Sequence, residues 1–462
     1  MSGARRPRHE AISRNASDDS AATPGLSARR AAARLLAAVV DRKTPLDGLT
    51  DDEHGHPDYR ALEARDRALV RAILATALRF RGTIAALIDR RLDRPLPANA
   101  TALAHILHVA AAQILFLDIP DSAAVNLAVV HAKADPRTER FAGLVNGVLR
   151  ELARRKERAL PAALAQSADA PGWFVERLKA AYGADAAARI LAMHRAEAPT
   201  DFTVRSDPER WAEAFGGFVL PTGSVRVPRL DRAVPDLPGF SDGRWWVQDA
   251  AAALPARMLG DVAGLRVADL CAAPGGKTAQ LAAAGAKVTA VEASANRRKR
   301  LSSNLARLGL EVEIVETDLT TFEPAALFDA VLLDAPCSST GTVRRHPDVA
   351  WTKSPEDIAK LAGVQARLLS HAAGMVAPGG RLVFSNCSLD PAEGEDVAAA
   401  FLKERTDFDR DPIRPGEVPG AEAFVTADGE LRTTPAGFPA EDPSHAGLDG
   451  FFAVRFRKSR RP

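Results

Sequence analysis

Apolar residues recur at intervals of three, four and seven through the first third of the chain, then gather into short runs through its second half. From Ser27 onward, Leu35, Leu36, Val39 and Val40 form one stripe, and Leu62, Leu69, Val70, Ile73, Leu74 and Leu78 form another. That spacing is the signature of an amphipathic helix. Further helices are predicted over 101–116, 122–134 and 137–156, the last with Phe141, Leu144, Val145, Val148, Leu149 and Leu152 on one side. Strand-like alternation is almost absent before residue 160, so 27–160 reads as an all-α bundle. Residues 1–26 are polar, small and Arg-bearing and read as a disordered arm.

The pattern changes twice more. Residues 161–245 carry a helix predicted over 173–194, then a stretch punctuated by Pro and Gly over 198–243, with short strand candidates DFTVRSD and GSVRVP. A small connecting α+β domain is expected there. Over 246–462 the rhythm is strand, turn, helix. LRVADL (265–270), KVTAVEAS (287–294), VEIVETD (312–318), DAVLLDAP (329–336) and GRLVFSN (380–386) are predicted strands, and 295–308 and 355–376 are helices. Alternation of this kind gives a doubly wound, mainly parallel Rossmann-like α/β sheet. Ligands of such folds sit beyond the carboxyl ends of the strands.

Composition narrows the class. The chain has 462 residues, 46% hydrophobic and 26% charged, which suits a soluble protein. At roughly 150 residues per domain that length suggests about three domains. Lys and Arg number 61 against 59 for Asp and Glu, a formal charge of +2. That total conceals about +7 over residues 1–160 and about −5 over the rest, although the last twelve residues alone carry +5. A basic front and a basic tail (Arg455, Arg457, Lys458, Arg460, Arg461) suit a polyanion such as nucleic acid, although ordinary solvated charge gives the same count. Three cysteines exclude a disulfide scaffold, and no CxxC zinc spacing is present. The first residues lack the apolar core of a secretory signal, and no apolar run is long enough to span a membrane. A cytoplasmic protein with reduced thiols and no metal is expected. His105 and His108, three apart in an apolar helix, read as core residues rather than metal ligands.

The chemistry-bearing residues fall at strand ends. The first strand of the α/β domain runs into Cys271, Ala272, Ala273, Pro274, Gly275, Gly276 and Lys277, where glycines let the backbone approach a ligand and a following helix offers unpaired N–H groups. Glu292, at the end of the next strand, is placed to accept hydrogen bonds from ribose hydroxyls. Asp318, at the third strand end, is a plausible acceptor for an adenine amine. These features point to an adenosine-containing cofactor; a tight turn with two surface acids is the plainer reading. The fourth strand ends in Asp334-Ala335-Pro336-Cys337 and the fifth in Asn386-Cys387. A free cysteine is usually a small buried hydrophobe, and Cys271 is read that way. Two more at successive strand exits suit another chemistry. C5 of a pyrimidine is a poor nucleophile until a thiolate adds to C6, an acid near N3 assists, and a sulfonium methyl supplies the electrophile.

On DLCAAPGGKT (269–278), DAPCSSTG (334–341), NCSLDPAEGEDV (386–397), RHPD (345–348) and GFFAVRFR (450–457), the chain resembles the RNA cytosine-C5 methyltransferases of the Nol1/Nop2/Sun family. The resemblance covers roughly 245–457. It implies Cys387 as nucleophile, Cys337 as the thiol that helps release product, and Asp334 as the acid at N3. It also implies S-adenosyl-L-methionine held by 271–277 with Glu292, Asp318 and Asp334. Asn386 stands where a Thr is usual and AEGE where EENE is common; neither removes a reacting group. LVNGVLRELAR (144–154) and IPDSAAVNLAVVHAK (119–133) are similar to the RNA-binding domain of the antitermination factor NusB. A NusB-like front on such a catalytic domain is similar to bacterial small-subunit rRNA methyltransferases and implies 16S rRNA as partner. The same chemistry on tRNA, or a non-catalytic antitermination or assembly factor, stays open. A DNA cytosine methyltransferase would need no thiol at 387, and a nicotinamide dehydrogenase would explain neither cysteine. Oligomeric state and target nucleotide stay open.

Overall fold

A computed structural model describes residues 23–460 of the chain. Residues 1–22 of the predicted arm lie outside that span. The chain divides into two compact units, Met1–Asp169 and Ala170–Pro462.

Helices alone build the first unit: Leu26–Arg42, Ala64–Arg79, Arg81–Asp89, Thr101–Phe116, Asp121–Lys133 and Ala142–Gln166 are its main elements. The stripes predicted from spacing face inward, with Leu35, Leu36, Val39, Val70, Ile73 and Leu74 all fully buried. The last helix runs past the expected end to Gln166, carrying Pro161 in its interior. A proline there forgoes one ladder bond, and the helix continues because Ala163 beyond it still buries its side chain. His105 donates or accepts at Asp41 (2.9 Å) and His108 bonds the Ala104 carbonyl (3.0 Å), both inside the bundle. Burial pushes the His108 imidazole down to about 3, so it is neutral packing.

The second unit opens with two helices, Gly172–Tyr182 and Ala184–His194, where one was predicted over 173–194. Gly183, at φ 80°, ends the first by a backbone conformation that costs a glycine little. Four short antiparallel strands follow, β1 (Thr200–Val204), β2 (Phe218–Val219), β3 (Val225–Val227) and β4 (Trp245–Val247), in the order β2-β3-β1-β4. Between β1 and β3 lies a buried ion pair. Arg226 donates from Nε and Nη2 to the two oxygens of Asp201, each at 2.7 Å, and from Nη1 to the Gly447 carbonyl at 2.7 Å. Ala250 N–H also donates to Asp201 (3.1 Å), so this pair ties the small sheet to two segments of the α/β part.

The larger sheet contains β5 (Arg266–Leu270), β6 (Lys287–Val291), β7 (Glu313–Val315), β8 (Phe328–Asp334), β9 (Val376–Asn386), β10 (Phe408–Arg410), β11 (Leu431–Thr433) and β12 (Phe451–Lys458). Its order is β10-β12-β9-β8-β5-β6-β7, with β11 also on β12. The five expected strands are parallel, each to its neighbour. β12 adds antiparallel to β9, so the sheet is mixed rather than parallel throughout. Its alternating GFFAVRFR was legible as a motif, but only tertiary pairing gives it a direction. Val267, Val331, Leu332, Leu333, Leu382, Val383 and Phe384 are fully buried, because helices cover both faces.

Part of the basic tail is committed inside the fold. Arg455 is buried against Asp411 (3.0 Å) and Glu417 (2.5 Å), and Lys458 donates to the Val376 carbonyl (2.9 Å). Those charges belong to packing and not to a free basic arm. Among the described residues no helix is long and apolar enough to cross a membrane. Arg226→Met would strand the Asp201 carboxylate in the interior, so it should lower the unfolding free energy by roughly 3–5 kcal/mol in urea titrations.

Candidate active site

Parallel pairing sets the geometry. Asp334, the last residue of β8, is in register with Ser385 of β9. The chain therefore leaves both strands at the same level, and the two loops carry Cys337 and Cys387 toward each other. Their sulfurs are 3.4 Å apart. Ser339, at φ 60°, turns the first loop back, and the Cys387 carbonyl accepts from Gly341 N–H at 2.9 Å. Each cysteine is half-buried.

The two thiols are not equivalent. The hydrogen bond with Cys337 pulls the Cys387 thiol below the ordinary range, against burial, and Ser339 adds to the effect. Cys337 moves the other way, held well above the ordinary range by its bond to Cys387 and by burial. The pair is polarised, with Cys387 the more acidic of the two thiols. Cys271, at φ 64° in the Gly-rich turn, packs against the sheet core, and burial pushes its thiol up to about 12.

Asp334 stands between the thiols and the turn. Its Oδ1 accepts from Ser385 Oγ (2.8 Å) and its Oδ2 from Lys277 Nζ (2.8 Å). Lys277 is nearly buried and lies 4.9 Å from the centroid of the Phe451 ring, a cation–π contact. Cys387 packs in the same apolar cluster as Phe451, within the fields of Asp334 and Lys277. A carboxylate, an ammonium and two thiols so meet at the exits of β5, β8 and β9.

Beside them is a cavity of about 390 Å³, lined by Ala272 to Lys277, Asp269 and Asp334 on one side and by Phe240, Trp245, Trp246, Gln248 and Arg307 on another. Gly275, at φ 103°, leaves no room for a side chain: a Cβ there would meet Leu301 at 2.7 Å. Asp269 is 1% exposed; its Oδ2 accepts from Thr278 Oγ1 (2.6 Å), while Oδ1 has no hydrogen-bond partner. A buried carboxylate oxygen facing a cavity without a partner is a vacancy for a donor.

Two expected residues stand apart from this cavity. Glu292 is buried and accepts from Ala273 N–H (3.3 Å) and Ser294 N–H (3.0 Å), so it braces the Gly-rich turn from behind. Asp318 is exposed and caps a single turn through Thr320, by its N–H (2.8 Å) and its hydroxyl (2.7 Å). Asp269, Gln248 and Glu393 were not singled out from the sequence. Asp269 and Glu393 lay inside quoted motifs, Glu393 within the AEGE segment, but their burial and partners are invisible there; Gln248 is brought in by the fold.

An α/β sheet covered by helices on both faces, with a Gly-rich turn, an acid at each of the next strand ends and a close thiol pair, defines a methyltransferase-type domain, here following a NusB-type helical unit. The 16S rRNA methyltransferase RsmB/F family matches residues 256–457, and the NusB family matches residues 26–154. Ribosomal RNA small subunit methyltransferase B of Xanthomonas campestris pv. campestris is 36% identical over 455 residues, covering 95% of this chain and 98% of that protein. The protein of the same name from Klebsiella pneumoniae is 34% identical, with 86% and 96% covered. The chain belongs to this RsmB/F family of 16S rRNA methyltransferases. Among solved structures, PH0851 shares the fold at a TM-score of 0.69 and 23% identity, over 95% of this chain and 99% of that one. A methyltransferase homolog protein from Pyrococcus horikoshii aligns at TM-score 0.50 and 26% identity, over 62% of this chain and 94% of that one.

Two outcomes follow from the geometry. Brief iodoacetamide treatment at neutral pH should modify Cys387 ahead of Cys337 and Cys271, read by peptide mass spectrometry. Burial also pushes the Asp269 carboxyl up to about 7. Between about 4, the ordinary carboxylate value, and about 7 the folded chain keeps a proton that the unfolded chain has lost, so this group's contribution to stability falls as pH rises. Asp269→Asn, which mimics the protonated form, should gain stability relative to the wild type between pH 5 and pH 8 in denaturant titrations.

Proposed function

We propose that the protein transfers a methyl group from S-adenosyl-L-methionine to C5 of a cytosine in 16S rRNA, through a covalent bond between Cys387 and C6 of the base. The observation that carries this reading is the 3.4 Å contact between Cys337 and Cys387 beside Asp334 and Lys277. Relatives named for the small-subunit rRNA, together with the NusB-family match, favour 16S rRNA over tRNA.

The residues present fit the cofactor. The vacant Asp269 oxygen, the close backbone at Gly275 and the cavity beside them supply an acceptor and room. Residues 272–277 with Asp269 and Asp334, which line the cavity, would hold it, whereas Glu292 and Asp318, expected from the resemblance, stand apart from it. When bound, S-adenosyl-L-methionine supplies an electrophilic sulfonium methyl.

The chain's own groups do the rest. Cys387, the more acidic thiol, gives its electron pair to C6 and so raises electron density at C5. Asp334 holds the N3 edge, with Lys277 as the cation that balances the ring's added charge. Solvent water takes the C5 proton, the C5–H electron pair re-forms the C5=C6 bond, the Cys387–C6 bond breaks with its pair on sulfur, and the neighbouring Cys337 thiol stabilises the departing thiolate by hydrogen bonding. The cytosine must be unstacked to reach a site recessed at the strand ends. The basic first unit would grip phosphates, which position the RNA without reading its sequence.

Cys387→Ala should abolish methyl transfer from labelled S-adenosyl-L-methionine to 16S rRNA while the cofactor still binds. Cys337→Ala should retain the base, visible as a slower protein–RNA band on a denaturing gel. Full activity of the Cys387 variant would overturn the mechanism. Equal methylation of tRNA in the same assay would overturn the choice of RNA.

A further inference from the structure

The carboxylate of Glu393 lies beneath both cysteine loops, in the short turn Pro391–Glu393 after β9. It is 0% exposed. Its Oε1 accepts from Ser338 N–H at 2.8 Å and from Gln365 Nε2 at 3.0 Å; its Oε2 accepts from Ser388 Oγ at 2.6 Å and from the Ser338 hydroxyl. Ser338 follows Cys337 and Ser388 follows Cys387. One carboxylate therefore bonds the neighbour of each thiol, across fifty-five residues of sequence from Ser338. Gln365 closes the arrangement from the long helix Pro355–Gly374, donating also to the Pro336 carbonyl at 3.0 Å. Asn386, the departure from the usual Thr, donates to the Glu393 carbonyl at 2.6 Å and accepts from Ser388 N–H at 3.0 Å, so the same turn is fixed from its backbone side.

We propose that Glu393 is the positioning residue of the thiol pair: by holding Ser338 and Ser388 together it fixes the 3.4 Å separation of the Cys337 and Cys387 sulfurs. An ionised carboxylate is suited to this, since it accepts at about four lone-pair sites and donates at none. Four donors converge on it, and an alanine would leave the buried Ser338 N–H without its acceptor, which is costly. Being wholly buried, it cannot touch RNA; it acts through the groups packed around it, chiefly the two serines. Its negative charge also helps keep Cys337 protonated. The other charged groups facing the thiols are Asp334 at the end of β8 and Lys277 from the helix after the Gly-rich turn, with the Ser339 hydroxyl beside them. None of these bonds both Ser338 and Ser388.

The inference rests on the proposed role of the cysteines, and its test separates the two. Glu393→Gln and Ser388→Ala are compared with the full-length wild type by the pH dependence of Cys387 alkylation and by methyl-transfer kinetics on 16S rRNA. The alkylation midpoint should rise by about one pH unit in each variant. kcat should fall about tenfold or more, with KM for RNA within about twofold, since the group acts on the reacting thiol and not on binding. Glu393→Asp, which keeps the charge but shortens the reach, should fall between Gln and wild type in alkylation midpoint. An unchanged alkylation midpoint in both Glu393→Gln and Ser388→Ala overturns the clamp, whatever happens to kcat. Should the wild-type chain methylate no RNA, the proposed function fails, while a shifted midpoint in the variants still supports the clamp.

Discussion

Two strands leave a parallel sheet at the same level, and everything proposed for this protein depends on that register. Because Asp334 of β8 pairs with Ser385 of β9, the loops that follow begin side by side. A slip of one residue would turn every side chain of the shifted strand to the opposite face. It would break the Ser385–Asp334 hydrogen bond and separate sulfurs that now lie 3.4 Å apart. The register is secured by burial. Val331, Leu332 and Leu333 of β8 and Leu382, Val383 and Phe384 of β9 have no exposed alternative.

Around this seam the structure commits many polar groups to holding loops. Arg177 pairs with Asp390 and the Tyr182 hydroxyl donates to the Leu389 carbonyl (2.7 Å), so the first helix of the second unit supports the segment after Cys387. Arg432 donates to the Ser388 carbonyl (2.6 Å) from the other side. Arg345, part of the RHPD motif, reaches Asp249 (2.5 Å) and Asp449 (3.1 Å) and joins the small sheet's end to the approach of β12. Such a network makes a site rigid at the cost of burying charge, and the pressure shows in Asp449, whose carboxyl burial pushes up to about 6. A thiol pair whose acidity depends on short hydrogen bonds needs that rigidity, since a hydrogen bond weakens steeply with distance and angle.

The cavity side of the site follows another logic. Gly275 takes a φ of 103° that side chains rarely adopt, with Leu301 close to where its Cβ would stand, and the turn is braced from behind by Glu292 through Ala273 N–H. Glu292 thus has a structural task in addition to the cofactor contact that the resemblance assigns to it. Asp318 sits at the surface as a cap for the turn at Thr320. Asp269, buried with one oxygen vacant, is the acid on this side whose environment calls most directly for a ligand.

By itself the sequence determined most of the elements and where the candidate reacting groups stand along the chain. Spacings of three, four and seven specify helices locally, short buried runs between turn residues specify parallel strands, and glycines and cysteines mark positions that other residues cannot fill. Helix 295–308 and strand 266–270 emerge within a residue of expectation for that reason. The same local signals could not show that 173–194 breaks at Gly183, that β12 runs antiparallel, or that Arg455 is spent inside the fold. Nor could they bring Glu393 beneath Ser338, or set one thiol above and its neighbour below the ordinary range. Those outcomes depend on which distant segments are pressed together and how little water is left between them. Packing decides both, because a hydrogen bond's partner and a charge's dielectric surroundings are properties of neighbours in space.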